Sequence, residues 1–124
     1  MTAIMIDVDH FKSINDTFGH QTGDAVIKEL AEAIQNALPE HSTCFRYGGE
    51  EFLIIIQNES ESGIRVLADD LLACPTQLRF EVTVSIGIKH ATQALGSVEQ
   101  LINDADQALY SSKKKGRNCV SWSE

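Results

Sequence analysis

Several features that mark large protein classes are scarce or missing in this chain. Cysteine occurs three times, proline twice, and aromatic residues make up only 6% of the 124 residues. Cys44, Cys74 and Cys119 form no CxxC pair and are odd in number. That argues against a disulfide framework and for reduced thiols in a cytoplasmic protein. Basic charge is short: 10 Lys and Arg stand against 18 Asp and Glu, a net charge of −8. A free-standing nucleic-acid binder needs the opposite balance, so no nucleic-acid partner is expected. No run of about 20 apolar residues occurs, which argues against direct membrane insertion by a helix. The opening MTAIMIDVD reads as a strand and not as a secretory leader. His10, His20, His41 and His90 show no zinc-ligand spacing. Neither an internal repeat nor a low-complexity linker divides the chain, so one domain over residues 1–124 is expected.

What is present is patterned hydrophobicity, 43% of the residues. Ala3 to Val8 reads as a buried strand with Asp7 and Asp9 at its C-terminal end. A short helix follows, with Asp9 expected as its N-cap and Gly19 as its stop. A longer helix is expected from about Gly23 to Leu38, with Ile27, Leu30, Ala31, Ile34 and Leu38 on one face and Pro39 beyond it. STCFRY and EFLIII flank Gly48-Gly49 and read as a β-hairpin whose glycines supply positive φ. Ile64, Leu67, Ala68, Leu71 and Leu72 make a helical stripe ended by Pro75. Phe80 to Lys89 alternates strictly and predicts a strand buried on one face only. Val98, Leu101, Ile102, Ala105 and Leu109 predict a last helix to about Lys114, and NCVSW an edge strand. The order β-α-α-β-β-α-β-α-β is that of an α+β sandwich, helices over a mostly antiparallel sheet.

Three groups of residues could carry chemistry. Asp7 ends one strand, and Glu50 and Glu51 follow the hairpin turn. If the two strands are neighbours, their carboxylates converge and suit Mg²⁺ or Mn²⁺, which complete their shells with phosphate and water. Solvated turn residues would show the same spacing. Asn15 and Asp24 bracket the turn between the first two helices. An amide donating to O6 and a carboxylate accepting from N1–H and N2–H complement the guanine edge, but both residue types also serve as helix caps. Lys113 and Arg117 stand four apart and could clamp polyphosphate if the last helix reaches Arg117; they could equally serve the helix C-terminus.

Taken together, RYGGEEF, MIDVDHFKSINDTFGHQTGD, VTVSIG and DADQALYSSKKKGRN resemble, in order and over nearly the whole chain, the GGDEF family of diguanylate cyclases in its GGEEF form. The resemblance implies a nucleotidyl-cyclase or polymerase-palm-like fold and the condensation of two GTP molecules into cyclic di-GMP with release of pyrophosphate. It implies two divalent cations held by Asp7, Glu50 and the Val8 carbonyl. It places Gly48 and Gly49 against the phosphates, Asn15 and Asp24 on guanine, and Lys12, Lys113 and Arg117 on the phosphates. Glu51 takes an active-site role. Each site holds one GTP, so the partner implied is a second GGDEF protomer, with a sensor domain elsewhere in a longer parent that could be membrane-tethered.

Two departures from the family pattern follow. Many members carry an RxxD product-inhibition site shortly before the signature; here that stretch is Pro39-Glu40-His41-Ser42, and little product inhibition through it is expected. The family pattern also begins with a helical segment bearing a DxLTxLxNRR-like motif. The chain starts after it, so an N-terminally truncated domain is expected, and the rival reading is a GTP-binding regulatory domain without turnover.

Overall fold

The computed structural model describes residues 1–92 and 97–124. The first strand, β1 (Thr2–Val8), leads through a tight bend into helices α1 (Phe11–Phe18) and α2 (His20–Ala37). Strands β2 (Ser42–Arg46) and β3 (Glu51–Ile56) form a hairpin, followed by helix α3 (Glu61–Ala73) and a single 3₁₀ turn over Cys74–Gln77. Strand β4 (Val84–His90), helix α4 (Val98–Lys114) and strand β5 (Val120–Trp122) complete the order. The sheet runs β2-β3-β1-β4-β5, antiparallel at every pairing except β4 with β5, which are parallel. The fold is therefore α+β, as the sequence implied, with β1 in the middle of a mixed sheet.

Alternation along β1 sorts two cores. Ile4, Ile6 and Val8 face α2 and α3 and join Val26, Ile27, Leu30, Ile34, Ile64 and Leu71. Ala3 and Met5 face the other way and join Leu53, Leu101, Ala105 and Leu109 under α4. All seven residues of β1 are buried, as expected of a strand covered on both faces. Asp7 has the parity of Ala3 and Met5, so it emerges on the α4 side of the sheet.

The helices keep their expected stripes, with shifted ends. Helix α2 begins three residues earlier than the periodicity indicated, because Gly19 (φ 92°) turns the chain out of α1 and straight into it. Strand β4 corrects the sequence reading twice. Its regular part starts at Val84 and not at Phe80, since β1 ends at Val8, opposite Val84, and leaves residues 80–83 without a ladder partner beyond the Asp9 N–H to Thr83 carbonyl bond. It is also buried on both faces from Val84 to Ile88. Helix α4 lies directly on Gly87, where a Cβ would stand 2.1 Å from the Leu109 nitrogen and 2.3 Å from the Ala105 carbonyl oxygen. The polar-looking face of that strand is thus a helix seat.

Candidate active site at the β1–β3 end of the sheet

The β1–β3 register places Asp7 opposite Glu51, and the Val8 N–H donates to the Glu50 carbonyl at 3.1 Å. Antiparallel pairing therefore brings the end of the first strand and the start of the third together, as the sequence reading required of Asp7, Glu50 and Glu51. Asp7 is 5% exposed, and the two glutamates are half-buried. Burial pushes the Asp7 carboxyl above the usual carboxylate range, partly offset by the ammonium of Lys113 and the guanidinium of Arg117. Burial, then the charge of Asp7, raises Glu50 and Glu51 as well. Burial and mutual repulsion both disfavour the ionisation of these carboxylates.

The protein itself supplies positive charge there. Lys113, in the last turn of α4, forms an ion pair with Asp7 Oδ2. Burial opposes the charge on Lys113, but the hydrogen bond and charge of Asp7, with Glu51 and Glu50 adding to them, outweigh it and raise its pKa. Arg117 corrects an expectation. Helix α4 stops at Lys114, and Gly116, Arg117 and Asn118 all take positive φ (112°, 67° and 48°), so Lys113 and Arg117 are not successive positions on one helix face. The left-handed turn still leaves the Arg117 charge within reach of Asp7.

Asp9 is a second correction. It does not cap α1. That helix is entered through His10 in a left-handed conformation (φ 56°) with no side-chain cap. The Asp9 carboxylate turns instead toward β4 and the end of the α4 turn. Its Oδ1 accepts from Ser85 Oγ at 2.6 Å; its Oδ2 accepts from Thr83 Oγ1 at 2.6 Å and from the Asn118 N–H at 3.0 Å.

The signature loop also differs from its sequence reading. Tyr47 and Gly48 both donate to the Glu51 carbonyl, and positive φ is confined among glycines to Gly19 and Gly116 within the described residues. Gly48 and Gly49 therefore make no primed two-residue turn. Bulk is what they leave out: a Cβ on Gly49 would meet nothing within 4 Å, so that backbone stands open. Arg46 Nη2 donates to the Gly49 carbonyl at 2.6 Å across the loop.

At the base-binding end, Asn15 on α1 lies against α2 at Gly23, the residue before Asp24. A Cβ at Gly23 would fall 1.8 Å from Asn15 Oδ1, so this glycine exists to admit the amide. The sequence reading took Gly23 only as the start of the second helix and gave it no part in the site. Asp24 is exposed and lines a cavity of about 430 Å³ with Ile27, Lys28, Cys44, Arg46 and Phe52. Lys12 is exposed in the first turn of α1 and makes no ion pair among the described residues. A larger cleft, about 650 Å³, opens between α1 and the 3₁₀ turn and includes none of the three clustered carboxylates.

Whether a hard cation fits can be judged from the oxygens. Among the described residues, two buried side-chain polar atoms have no hydrogen-bond partner: Asp7 Oδ1 and Asn15 Oδ1. An orphaned carboxylate oxygen with further carboxylates nearby is what Mg²⁺ or Mn²⁺ takes. No three His, Cys, Asp or Glu side chains already close around one point among the described residues. A cation that completes its shell with phosphate and water does not need three. The residues fit the group on condition that Lys113 yields its place on Asp7.

A mixed five-stranded sheet with helices on both faces and acidic groups at the β1–β3 end defines a palm-like α+β domain. The comparisons then give its family. The family model described as "Diguanylate cyclase, GGDEF domain" matches residues 1–119. The chain belongs to the GGDEF family. It is 37% identical to diguanylate cyclase A of Treponema denticola over all of its own length and 35% of that protein's. It is 33% identical to diguanylate cyclase DgcS of Shewanella oneidensis over 99% of its own length and 42% of that protein's. The chain thus spans less than half the length of these curated relatives. Among solved structures, the GGDEF domain of DgcB from Caulobacter crescentus, in complex with c-di-GMP, superposes with a TM-score of 0.91 at 34% identity, covering 99% of this chain and 75% of that one. The active GGEEF domain of a diguanylate cyclase from Vibrio cholerae gives 0.90 at 33% identity, covering 99% and 82%.

Proposed function

We propose that this domain is a diguanylate cyclase domain that binds one GTP and, facing a second protomer, joins two GTP molecules into cyclic di-GMP. In each half-reaction the 3′-hydroxyl of one GTP attacks the α-phosphorus of the other. A P–O3′ bond forms, the bond from the α-phosphorus to the bridging oxygen breaks, and one pyrophosphate and one proton leave; two such steps close the ring. The observation that carries the reading is the pair of orphaned oxygens. Asp7 Oδ1 lies without a hydrogen-bond partner among the described residues at the end of β1, which supports a cation there; Asn15 Oδ1, likewise unpartnered, lies against Gly23, the residue before Asp24, which supports a base nearby.

Asp7, Glu50 and the Val8 carbonyl would hold two Mg²⁺ or Mn²⁺. When bound, these supply charge neutralisation at the phosphates and a lower pKa at the attacking hydroxyl. Lys113 exchanges Asp7 for phosphate oxygens once positive charge is supplied otherwise, and Arg117 and Lys12 add to the clamp. Gly48 and Gly49 let the hairpin lie close to the triphosphate. Asn15 presents its NH₂ to guanine O6, while the Asp24 carboxylate accepts from N1–H and the exocyclic amine. Glu51, opposite Asp7, completes the acidic wall. The facing protomer supplies orientation, which converts two separate encounters into one positioned event. The domain works in the cytoplasm as the output of a longer sensor chain; relatives named membrane proteins support a membrane-tethered parent.

Incubation of labelled GTP with Mg²⁺ tests the reading. Cyclic di-GMP and pyrophosphate in a ratio of one to two support it. Saturable GTP binding without product would favour a regulatory GTP-binding domain, a state in which the Lys113–Asp7 pair persists.

A further inference from the structure

The motif Asp7-Val8-Asp9 carries two buried acids of opposite habit. Asp7 keeps one oxygen without a hydrogen-bond partner, while both oxygens of Asp9 are taken by Ser85, Thr83 and the Asn118 N–H. Asp9 is therefore coordinatively spent, although it lies two residues from the proposed metal end and is equally buried. What it holds is unusual. Arg117 and Asn118 are non-glycine residues in succession with positive φ, each costing about 1 kcal/mol or more. Such a turn persists only where its surroundings over-determine it. Here the Arg117 N–H donates to the Ser112 carbonyl at 3.0 Å, the buried Ser112 hydroxyl donates to the Ile86 carbonyl at 2.7 Å, and Asp9 takes the Asn118 N–H. The turn is clamped between the end of β1 and the end of α4, and it fixes the backbone from which the exposed Arg117 side chain leaves.

We propose that Asp9 is a positioning residue for the phosphate clamp: through the Asn118 N–H it holds the left-handed turn that aims Arg117 at the triphosphate beside Asp7. The inference rests on the assignment of Arg117 to phosphate and deepens it. Asp9 touches neither substrate nor cation in this role. Its charge matters because an acceptor of three hydrogen bonds holds a strained turn better as a carboxylate than as an amide.

The experiment is a double-mutant cycle on affinity for a non-hydrolysable GTP analogue with Mg²⁺, using Asp9→Asn, Arg117→Ala and both together, with guanosine as a second ligand. Asp9→Asn is expected to weaken the analogue about tenfold, the loss of one charge-assisted contact. It should leave guanosine binding unchanged and add nothing to Arg117→Ala. Amide hydrogen exchange should show Asn118 losing protection in Asp9→Asn. If that variant does not fold, Thr83→Val, which removes one hydrogen bond from the same Oδ2, should give a smaller loss of the same kind. Unaltered analogue affinity, effects that add, or an equal loss for guanosine would each overturn the inference. A wild-type chain that binds no guanine nucleotide would overturn the phosphate assignment beneath it, and the exchange readout would then still decide whether Asp9 holds the turn.

Discussion

Lys113 Nζ is ion-paired to Asp7 Oδ2, joining the last turn of α4 to the end of the central strand. The pair sets one positive charge on a buried carboxylate whose second oxygen has no hydrogen-bond partner among the described residues. Its consequences can be measured without catalysis.

Replacing Lys113 with Met leaves Asp7 buried and without its cation. Removing one partner of a buried pair is costly, but Lys113 is a third exposed, which softens the loss. Urea unfolding without nucleotide should show a destabilisation of about 1–2 kcal/mol. The Asp7 carboxyl is raised, and once protonated it needs no cation. The loss should therefore be full above that raised value and fade as pH falls through it. Affinity for the triphosphate should drop, while guanosine affinity stays.

The Glu50 carboxyl titrates above the ordinary glutamate range in the folded protein, from burial first and then from the charge of Asp7. A carboxyl raised on folding destabilises the fold where it is ionised; the penalty is complete above the raised pKa and disappears below the unfolded pKa. Glu50→Gln should thus raise the melting temperature at pH 7.5, with the gap to wild type closing as pH falls through the raised pKa. The same variant should lose the melting shift that Mg²⁺ and nucleotide confer, along with all turnover. A variant that is no more stable, yet still stabilised by Mg²⁺, would remove Glu50 from the site.

Gly23→Ala improves helix propensity by about 1 kcal/mol, yet its Cβ would occupy the place of the Asn15 amide. Asn15 must swing away. Competition titrations should show GTP affinity reduced about tenfold, with discrimination against ATP falling in parallel, while the far-ultraviolet spectrum keeps its helical content. Unchanged discrimination would separate Asn15 from the base.

The stretch before the signature offers cyclic di-GMP little. The Ser42 hydroxyl donates to the Pro39 carbonyl at 2.5 Å, His41 leans 3.6 Å from Glu59, and Glu40 is exposed. No arginine stands there to grip a phosphodiester. Added cyclic di-GMP, at the substrate's concentration, should leave the initial rate within about twofold, since no charge-assisted pair is available. Calorimetry showing tight binding at residues 39–42 would reverse this.

What the sequence revealed, and what it hid, follows from the range of the forces. Stripes at 3.6 spacing located α2, α3 and α4 because burial acts on whole faces. Asp7 could be matched with Glu50 and Glu51 because an antiparallel ladder brings the end of one strand to the start of its neighbour. Alternation in β4 misled because Ser85 and Gly87 look like a solvent face; the one binds Asp9 and the other seats α4. The end of α4 before Arg117 depends on three successive positive φ values held by groups from β1 and β4. The fit of Asn15 to Gly23 likewise exists only once two helices meet.

A crystal structure with Mg²⁺ and a non-hydrolysable GTP analogue tests the central claim most directly. The account predicts a cation within about 2.1 Å of Asp7 Oδ1 and a Glu50 oxygen, Lys113 moved from Asp7 onto phosphate, and guanine against Asn15 and Asp24. Nucleotide bound elsewhere, with Lys113 still paired to Asp7 and no cation between Asp7 and Glu50, would contradict it.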